Sequence, residues 1–201
     1  MGYDLSKNNR ENLMKLAQQG KIIPTELAIE TVFGCNAKCT MCFIDDPTTR
    51  KKRVMKMDLY ESIVDQMSPY ADQINKFDLW CLGEPTIDKW LAQRVEYAKK
   101  KNFKRTAIAT NGEALDENLG KDLLDAGIDT IIASIDATDP DTHAKIRVGL
   151  HYEKVVRNFE NIIKLRDKNN YKTRFIFRFV LQDSNRHQYE GFKEYWSKLL
   201  D

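Results

Sequence analysis

Residues 105–136 read RTAIATNGEALDENLGKDLLDAGIDTIIASID. Arg105 to Thr110 is a short apolar run of strand type, closed by the turn pair Asn111-Gly112. Asp116 stands where a helix N-cap belongs, and Gly127 where that helix should stop. Thr130 to Asp136 is again a strand. A strand, a helix and a strand in this order need a crossover connection, so the two strands run parallel. The same alternation extends both ways. Upstream, Leu27 to Phe33 and Phe77 to Leu82 read as strands. Between them Asp58 opens a helix, with Glu61 completing a capping box and Leu59, Ile63, Met67 and Tyr70 on one apolar face. Asp88 caps a further helix carrying Leu91, Val95 and Ala98. Downstream, Val155, Val156, Phe159, Ile162 and Ile163 mark a long helix, Thr173 to Leu181 a fifth strand, and Phe192, Trp196 and Leu199 a last helix. Leu13, Leu16 and Ala17 point to a helix ahead of the first strand. The expectation is an α/β fold with about five parallel strands, residues 1–24 forming a helical lead-in and 25–201 the core domain. A complete eight-stranded barrel takes about 250 residues, which leaves an open doubly wound sheet or an incomplete (β/α) TIM-like barrel. In either, ligands belong at the C-terminal strand ends.

Composition narrows the function classes. The 201 residues carry 32 basic and 30 acidic side chains, a net charge of +2, with 42% hydrophobic and 31% charged residues. That balance excludes a disordered chain and does not favour a nucleic-acid binder as the default. No apolar run reaches the roughly 18 residues of a membrane span. The start, MGYDLSKNNRENLMK, lacks the apolar core of a signal peptide, so the cytoplasm is the expected compartment.

The 4 cysteines are unevenly spread. Cys35, Cys39 and Cys42 form C-x3-C-x2-C directly after the first strand, and Cys81 stands apart. Three thiolates so close can converge on a soft metal centre. A disulfide would strand the third thiol. Structural zinc needs a fourth ligand, and His143, His151 and His187 are all distant in sequence. Electron-transfer iron–sulfur clusters usually take four cysteines. Three thiolates on a four-iron cluster would leave one iron open for a substrate or cofactor.

CNAKCTMC resembles, in spacing and position, the cluster loop of the radical S-adenosylmethionine (SAM) enzymes. Further motifs follow successive strands. Leu82-Gly83-Glu84-Pro85 looks like the family's glycine–glutamate motif. Ala109-Thr110-Asn111-Gly112, Ser134-Ile135-Asp136, and Val180-Leu181-Gln182 with Asn185 fall at the ends of later strands, and Ile146-Arg147-Val148-Gly149 sits in the loop after the fourth strand, before the long helix. The resemblance covers roughly residues 25–200. It implies that Cys35, Cys39 and Cys42 hold a [4Fe–4S] cluster whose open iron binds SAM. Electron transfer then cleaves SAM to a 5′-deoxyadenosyl radical that abstracts hydrogen from the substrate. By the same resemblance, carbonyls near Gly83 and the Glu84 carboxylate would receive the SAM amino group. Ser134 would bond the ribose or methionine moiety, Arg147 the carboxylate, and Asn111 is a further candidate. Met41 stands where the family often has an aromatic residue, and its sulfur can pack on adenine. An electron donor such as flavodoxin or ferredoxin is implied, with a peptide or small polar, sugar-like substrate. Ser134 to Gly149 and Gln182 to Asn185 resemble the branch that carries a C-terminal auxiliary-cluster (SPASM/twitch) domain. A sixth strand and that domain would follow Asp201, so the chain is expected to be truncated.

Two other readings stay open. Cys81 as a second catalytic thiol would suggest a radical RNA methyltransferase, although a small apolar residue packed in a strand is the simpler expectation. The cysteines could instead hold structural zinc in a non-catalytic module. The basic stretches Arg50 to Arg53 and Lys99 to Lys101 fit solvated surface better than a nucleic-acid patch. Finally, charges inside strands call for partners. On the fifth strand Phe175, Phe177 and Phe179 share a face that should meet helices, which puts Arg178 in the lumen. Glu30 is expected to point inward as well, to pair or to meet a polar substrate.

Overall fold

The computed structural model describes residues 14–20, 24–44 and 52–200. Leu13, Arg50 and Lys51 lie outside them. Residues 14–18 are helical (α1). The first strand is shorter than expected. β1 (Glu26–Ala28) gives way after the Ile29 amide bonds Asp78 O, and β2 (Val32–Phe33) pairs antiparallel with β3 (Arg53–Val54) in a separate ribbon. Glu30 therefore lies between two strands rather than inside one. α2 (Met57–Met67) follows, then β4 (Lys76–Asp78), α3 (Leu91–Lys100), β5 (Thr106–Thr110), α4 (Glu117–Asp125), β6 (Thr130–Ser134), α5 (Pro140–Ile146), α6 (Tyr152–Lys168), β7 (Arg174–Arg178) and α7 (Tyr189–Leu200). The 5-stranded sheet is parallel throughout, in the order β1-β4-β5-β6-β7. This is the incomplete barrel, one of the two arrangements that the alternation left open.

Alternate residues of each strand divide the two faces. Phe77, Ile108, Ile131, Ala133 and Phe175 point to the helical layer and join Val95, Leu123 and Phe159 in one core. Phe177 stacks on Trp196 with ring centroids 3.9 Å apart, and Phe179 packs on Phe192. The phenylalanine face meets helices, as expected, and Arg178 lines the concave side.

Local signals explain most element ends. Asp116 accepts the Leu119 amide as an N-cap, and Gly127 takes φ 79° after α4, where a side chain would be strained. Two expected caps differ. α2 begins at Met57 with Lys56 at its N-cap position, so Asp58 sits in the first turn and there is no capping box. Asp88 lies before a Trp90 N-cap. One of its oxygens accepts the Trp90 amide and the other pairs with Arg94, buried on both sides at 2.7 Å. α5 was not foreseen. Asp139 caps it by accepting the Thr142 amide, and Pro140 fills its first position. It carries His143 into the interior.

Candidate functional site

The C-terminal ends of the strands surround a cavity of about 260 Å³. Its walls include Cys35, Cys39 and Cys42, the turn Cys81 to Glu84, Asn111, Ser134 and Arg147. All eight residues singled out for cluster and cofactor binding thus meet at one place, although more than 110 positions separate the first from the last.

The cysteine loop is held from outside itself. Its Lys38 and Thr40 amides donate to Val148 O and Ile146 O, at 2.8 and 3.0 Å. Gly149 has φ 93°, and a Cβ there would meet Asn36 O at 3.5 Å, so this loop lies directly on the cysteine loop. N–H groups approach the sulfurs. The Ala37 amide lies 3.4 Å from Cys35 Sγ, Asn111 Nδ2 3.8 Å from the same atom, and Arg147 Nη1 3.5 Å from Cys39 Sγ. Burial pushes the metal-free Cys35 thiol up to about 11, and raises Cys39 against the opposing pull of Arg147. Among the described residues no three His, Cys, Asp or Glu side chains gather about one metal-ion position.

Gly83 is fixed by contact. A Cβ on it would lie 1.9 Å from Val32 O, and the next amide, Glu84 N, donates to Gly34 O at 2.8 Å. Glu30 braces this turn from behind, its Oε1 accepting the Leu82 and Gly83 amides at 2.9 and 3.3 Å. Glu30 is thus engaged with backbone, a role the sequence did not disclose. Glu84 is 4% exposed. Its Oε1 accepts Thr86 N, Thr86 Oγ1 and Thr110 Oγ1, while Oε2 accepts the Asn111 amide. Burial raises its carboxyl pKa, and these donors oppose the rise. Asn111 does two jobs. Its Oδ1 accepts the Glu113 amide in an Asx turn, and its Nδ2 donates to Asn36 Oδ1 at 2.8 Å.

Arg147 reaches Cys39 with one terminal nitrogen and Asp136 Oδ2 with the other, at 2.5 Å. Asp136 is fully buried at φ 64°, and its other oxygen accepts the Val180 amide. Asn185 Nδ2 donates to Asp136 O and Val180 O, and its Oδ1 accepts the Gln182 amide. The segments around Ser134, Arg147 and Asn185 therefore form one hydrogen-bonded unit. Among the described residues the Ser134 hydroxyl makes no hydrogen bond and is left facing the cavity.

Cys81 corrects the sequence expectation. β4 ends at Asp78, so Cys81 lies in the turn beyond it, exposed and on the cavity wall rather than packed in a strand. Asp136, Thr86, Thr110 and Trp80 are site residues to which the sequence assigned no role. Asp136 and Thr110 lie within the quoted motifs and Thr86 adjoins one, but only the fold discloses what they hold.

Residues 29–192 match the Radical SAM superfamily. The chain belongs to this superfamily. Its cofactors are accordingly a [4Fe–4S] cluster and SAM, and the sulfur donor set and its N–H partners fit such a cluster. Among curated proteins, the chain is similar to a "Probable GTP 3′,8-cyclase" of Methanococcus maripaludis, 29% identical over 65% of this chain and 43% of that protein. It is also similar to a "Tungsten-containing aldehyde ferredoxin oxidoreductase cofactor-modifying protein" of Pyrococcus furiosus, 27% identical over 71% of this chain and 39% of the other. The chain thus spans about two fifths of the length of these relatives. Among solved structures, tagged anSMEcpe with bound AdoMet matches at 27% identity and TM-score 0.64, covering 89% of this chain and 50% of that one. Streptococcus suis SuiB bound to precursor peptide SuiA shares the fold at TM-score 0.72 and 18% identity, over 96% of this chain and 41% of that one.

Proposed function

We propose that this chain is a catalytic radical SAM domain in which Cys35, Cys39 and Cys42 each ligate one iron and leave the fourth to SAM. The observation that carries this reading is the single cavity bounded by the three thiols, the Gly83 turn and Arg147. When bound, the cluster and SAM supply a 5′-deoxyadenosyl radical able to take hydrogen from an unreactive C–H bond. The protein's work is positioning and shielding. The Gly83 turn, held against Val32 and Gly34, presents carbonyls to the SAM amino group. Glu84 Oε2, which among the described residues accepts the Asn111 amide alone, keeps acceptor capacity towards the same group. Ser134 offers a free hydroxyl to the ribose or methionine moiety. Arg147 offers its guanidinium to the carboxylate while Asp136 fixes its direction. Asn111 holds the cysteine loop through Asn36 and closes the wall.

The substrate is a peptide or a small polar molecule of sugar-like character. Relatives named for cyclising GTP and for modifying a cofactor support the small polar class. The electron donor is of the flavodoxin or ferredoxin type. The sequence resemblance of Ser134 to Gly149 and of Gln182 to Asn185 supports the branch with a C-terminal auxiliary-cluster domain. Reconstitution under anaerobic conditions tests the reading. The expected product is a brown protein with about four irons per chain that converts SAM to 5′-deoxyadenosine with dithionite. Replacing the three cysteines with alanine should abolish both properties. A colourless protein with one tightly held zinc would refute it.

The position of Cys81 on the same cavity supports a second reading, a radical SAM RNA methyltransferase with Cys81 as a second catalytic thiol. In that case Cys81→Ala abolishes methyl transfer, and RNA binding falls steeply with salt.

A further inference from the structure

The concave side of the sheet holds a second cavity, of about 740 Å³, lined from every strand of the main sheet or its approach. That volume lies in the range of small-molecule and cofactor sites. Arg178 is the residue common to this lumen and the cysteine-lined cavity, so the two meet at its side chain. Its guanidinium lies over the Trp80 ring, 5.2 Å from the centroid. Trp80 itself walls the cysteine-lined cavity, and its Nε1 is buried without an acceptor among the described residues. The Arg178 cation therefore stands at the junction, and among the described residues it makes no ion pair.

Charge in the lumen is unbalanced in the same sense. Lys76 is paired with Asp78 at 2.6 Å. Asp129 is committed to Lys99 and to the Thr106 amide and hydroxyl. Arg105, Arg174 and Arg178 make no ion pair among the described residues, and Glu26 is the one unpaired carboxylate on the wall. Arg174 and Arg178 stand at opposite ends of β7, roughly 13 Å apart along the strand. These exposed guanidinium groups lie along one concave surface with their donor forks open to solvent, where an oxyanion can fill them.

We propose that the lumen binds an oxyanion-bearing substrate of nucleotide size, with Arg178 on Trp80 as its anchor beside the cofactor cavity and Arg105 and Arg174 holding charge further along. The shared chemistry is a chain of phosphates or several carboxylates. This inference rests on the proposed radical SAM function and names the substrate class of that site.

The test is anaerobic titration calorimetry on the cluster-loaded, SAM-bound protein, with tripolyphosphate in one arm and citrate in the other. Wild type, Arg178→Gln, Arg178→Lys, Arg105→Gln and, as a surface control, Lys100→Gln are compared. Lys100 lies on the outer side of α3, paired with Glu96. Saturable binding to wild type is expected, about tenfold or more weaker in Arg178→Gln and Arg105→Gln, partly recovered by Arg178→Lys, and equal to wild type in Lys100→Gln. The arm that binds more tightly identifies phosphate or carboxylate as the group read. Equilibrium dialysis of labelled SAM against the same proteins separates the alternatives. If wild type holds cluster and SAM yet binds neither anion, or if the arginine variants bind as wild type does, the inference falls and the enzymatic reading stands. If Arg178→Gln loses SAM to the same degree as the anion, Arg178 serves the cofactor and the inference falls. A wild type that takes up neither cluster nor SAM refutes the underlying reading itself.

Discussion

Gly83 shows how one residue type fixes a site. The backbone of β2 passes so near that any Cβ would overlap Val32 O. The atoms it would meet, in Val32 and Gly34, are all backbone, so the clash is relieved only by moving the turn away from β2. Gly83→Ala is expected to destabilise the fold by about 1–3 kcal/mol or more and to lower cluster uptake, read by thermal unfolding and iron content. His143 is a second residue with a measurable signature. It is fully buried, packs on Tyr152, and neither ring nitrogen has a partner among the described residues. Burial lowers its pKa from 6.5 to about 4, with Arg147 adding to the fall and Glu113 and Glu153 opposing it. Between these values the unfolded chain binds the extra proton, so stability is lost as pH falls from about 6.5 to about 4. The loss is on the order of 3 kcal/mol when complete. His143→Leu should remove about one proton from the pH dependence of unfolding in that window. An unchanged slope would contradict the assignment.

At the scale of elements, α3 depends on the Asp88–Arg94 pair. Both side chains are fully buried, Arg94 also donates to Met55 O, and its backbone carbonyl accepts the Tyr60 hydroxyl. Arg94→Met leaves Asp88 buried without its cation and is expected to cost about 3–5 kcal/mol in chemical denaturation. The double change Asp88→Leu with Arg94→Met should recover much of that loss. The sequence shows where elements lie better than where they end. The period of 2 along Arg174 to Leu181 correctly set the phenylalanines against helices, because only a strand covered on one side by helices accepts them. The run Leu27 to Phe33 gave no sign of its break, because β2 leaves the sheet for an antiparallel partner, β3, that is 2 residues long. Cys81 was misread for a related reason. The pattern from Phe77 to Leu82 stays apolar past Asp78, where the strand stops and the turn carries Cys81 to the cavity wall.

At the scale of the whole molecule, parallel strands bring their C-terminal ends to one edge, and the loops there make the site. That much was legible. The cysteine spacing and the short motifs identified which loops matter, since most of them follow a strand and Ile146 to Gly149 follows the short helix α5. What remained hidden was the wiring between loops. Glu30 under the Gly83 turn, Asp136 against Arg147, and Asn185 tied to Asp136 are long-range contacts no local pattern encodes. The concave side, with Arg178 between two cavities, is likewise a product of sheet curvature. The central claim is that Cys35, Cys39 and Cys42 support a four-iron cluster whose open iron takes SAM. Electron paramagnetic resonance of the reconstituted, reduced protein, recorded with and without SAM, tests it most directly. The account expects a [4Fe–4S]+ signal whose g-values shift on SAM addition, and that is absent when the three cysteines are alanine. A signal indifferent to SAM, or one that survives loss of the three cysteines, would contradict it.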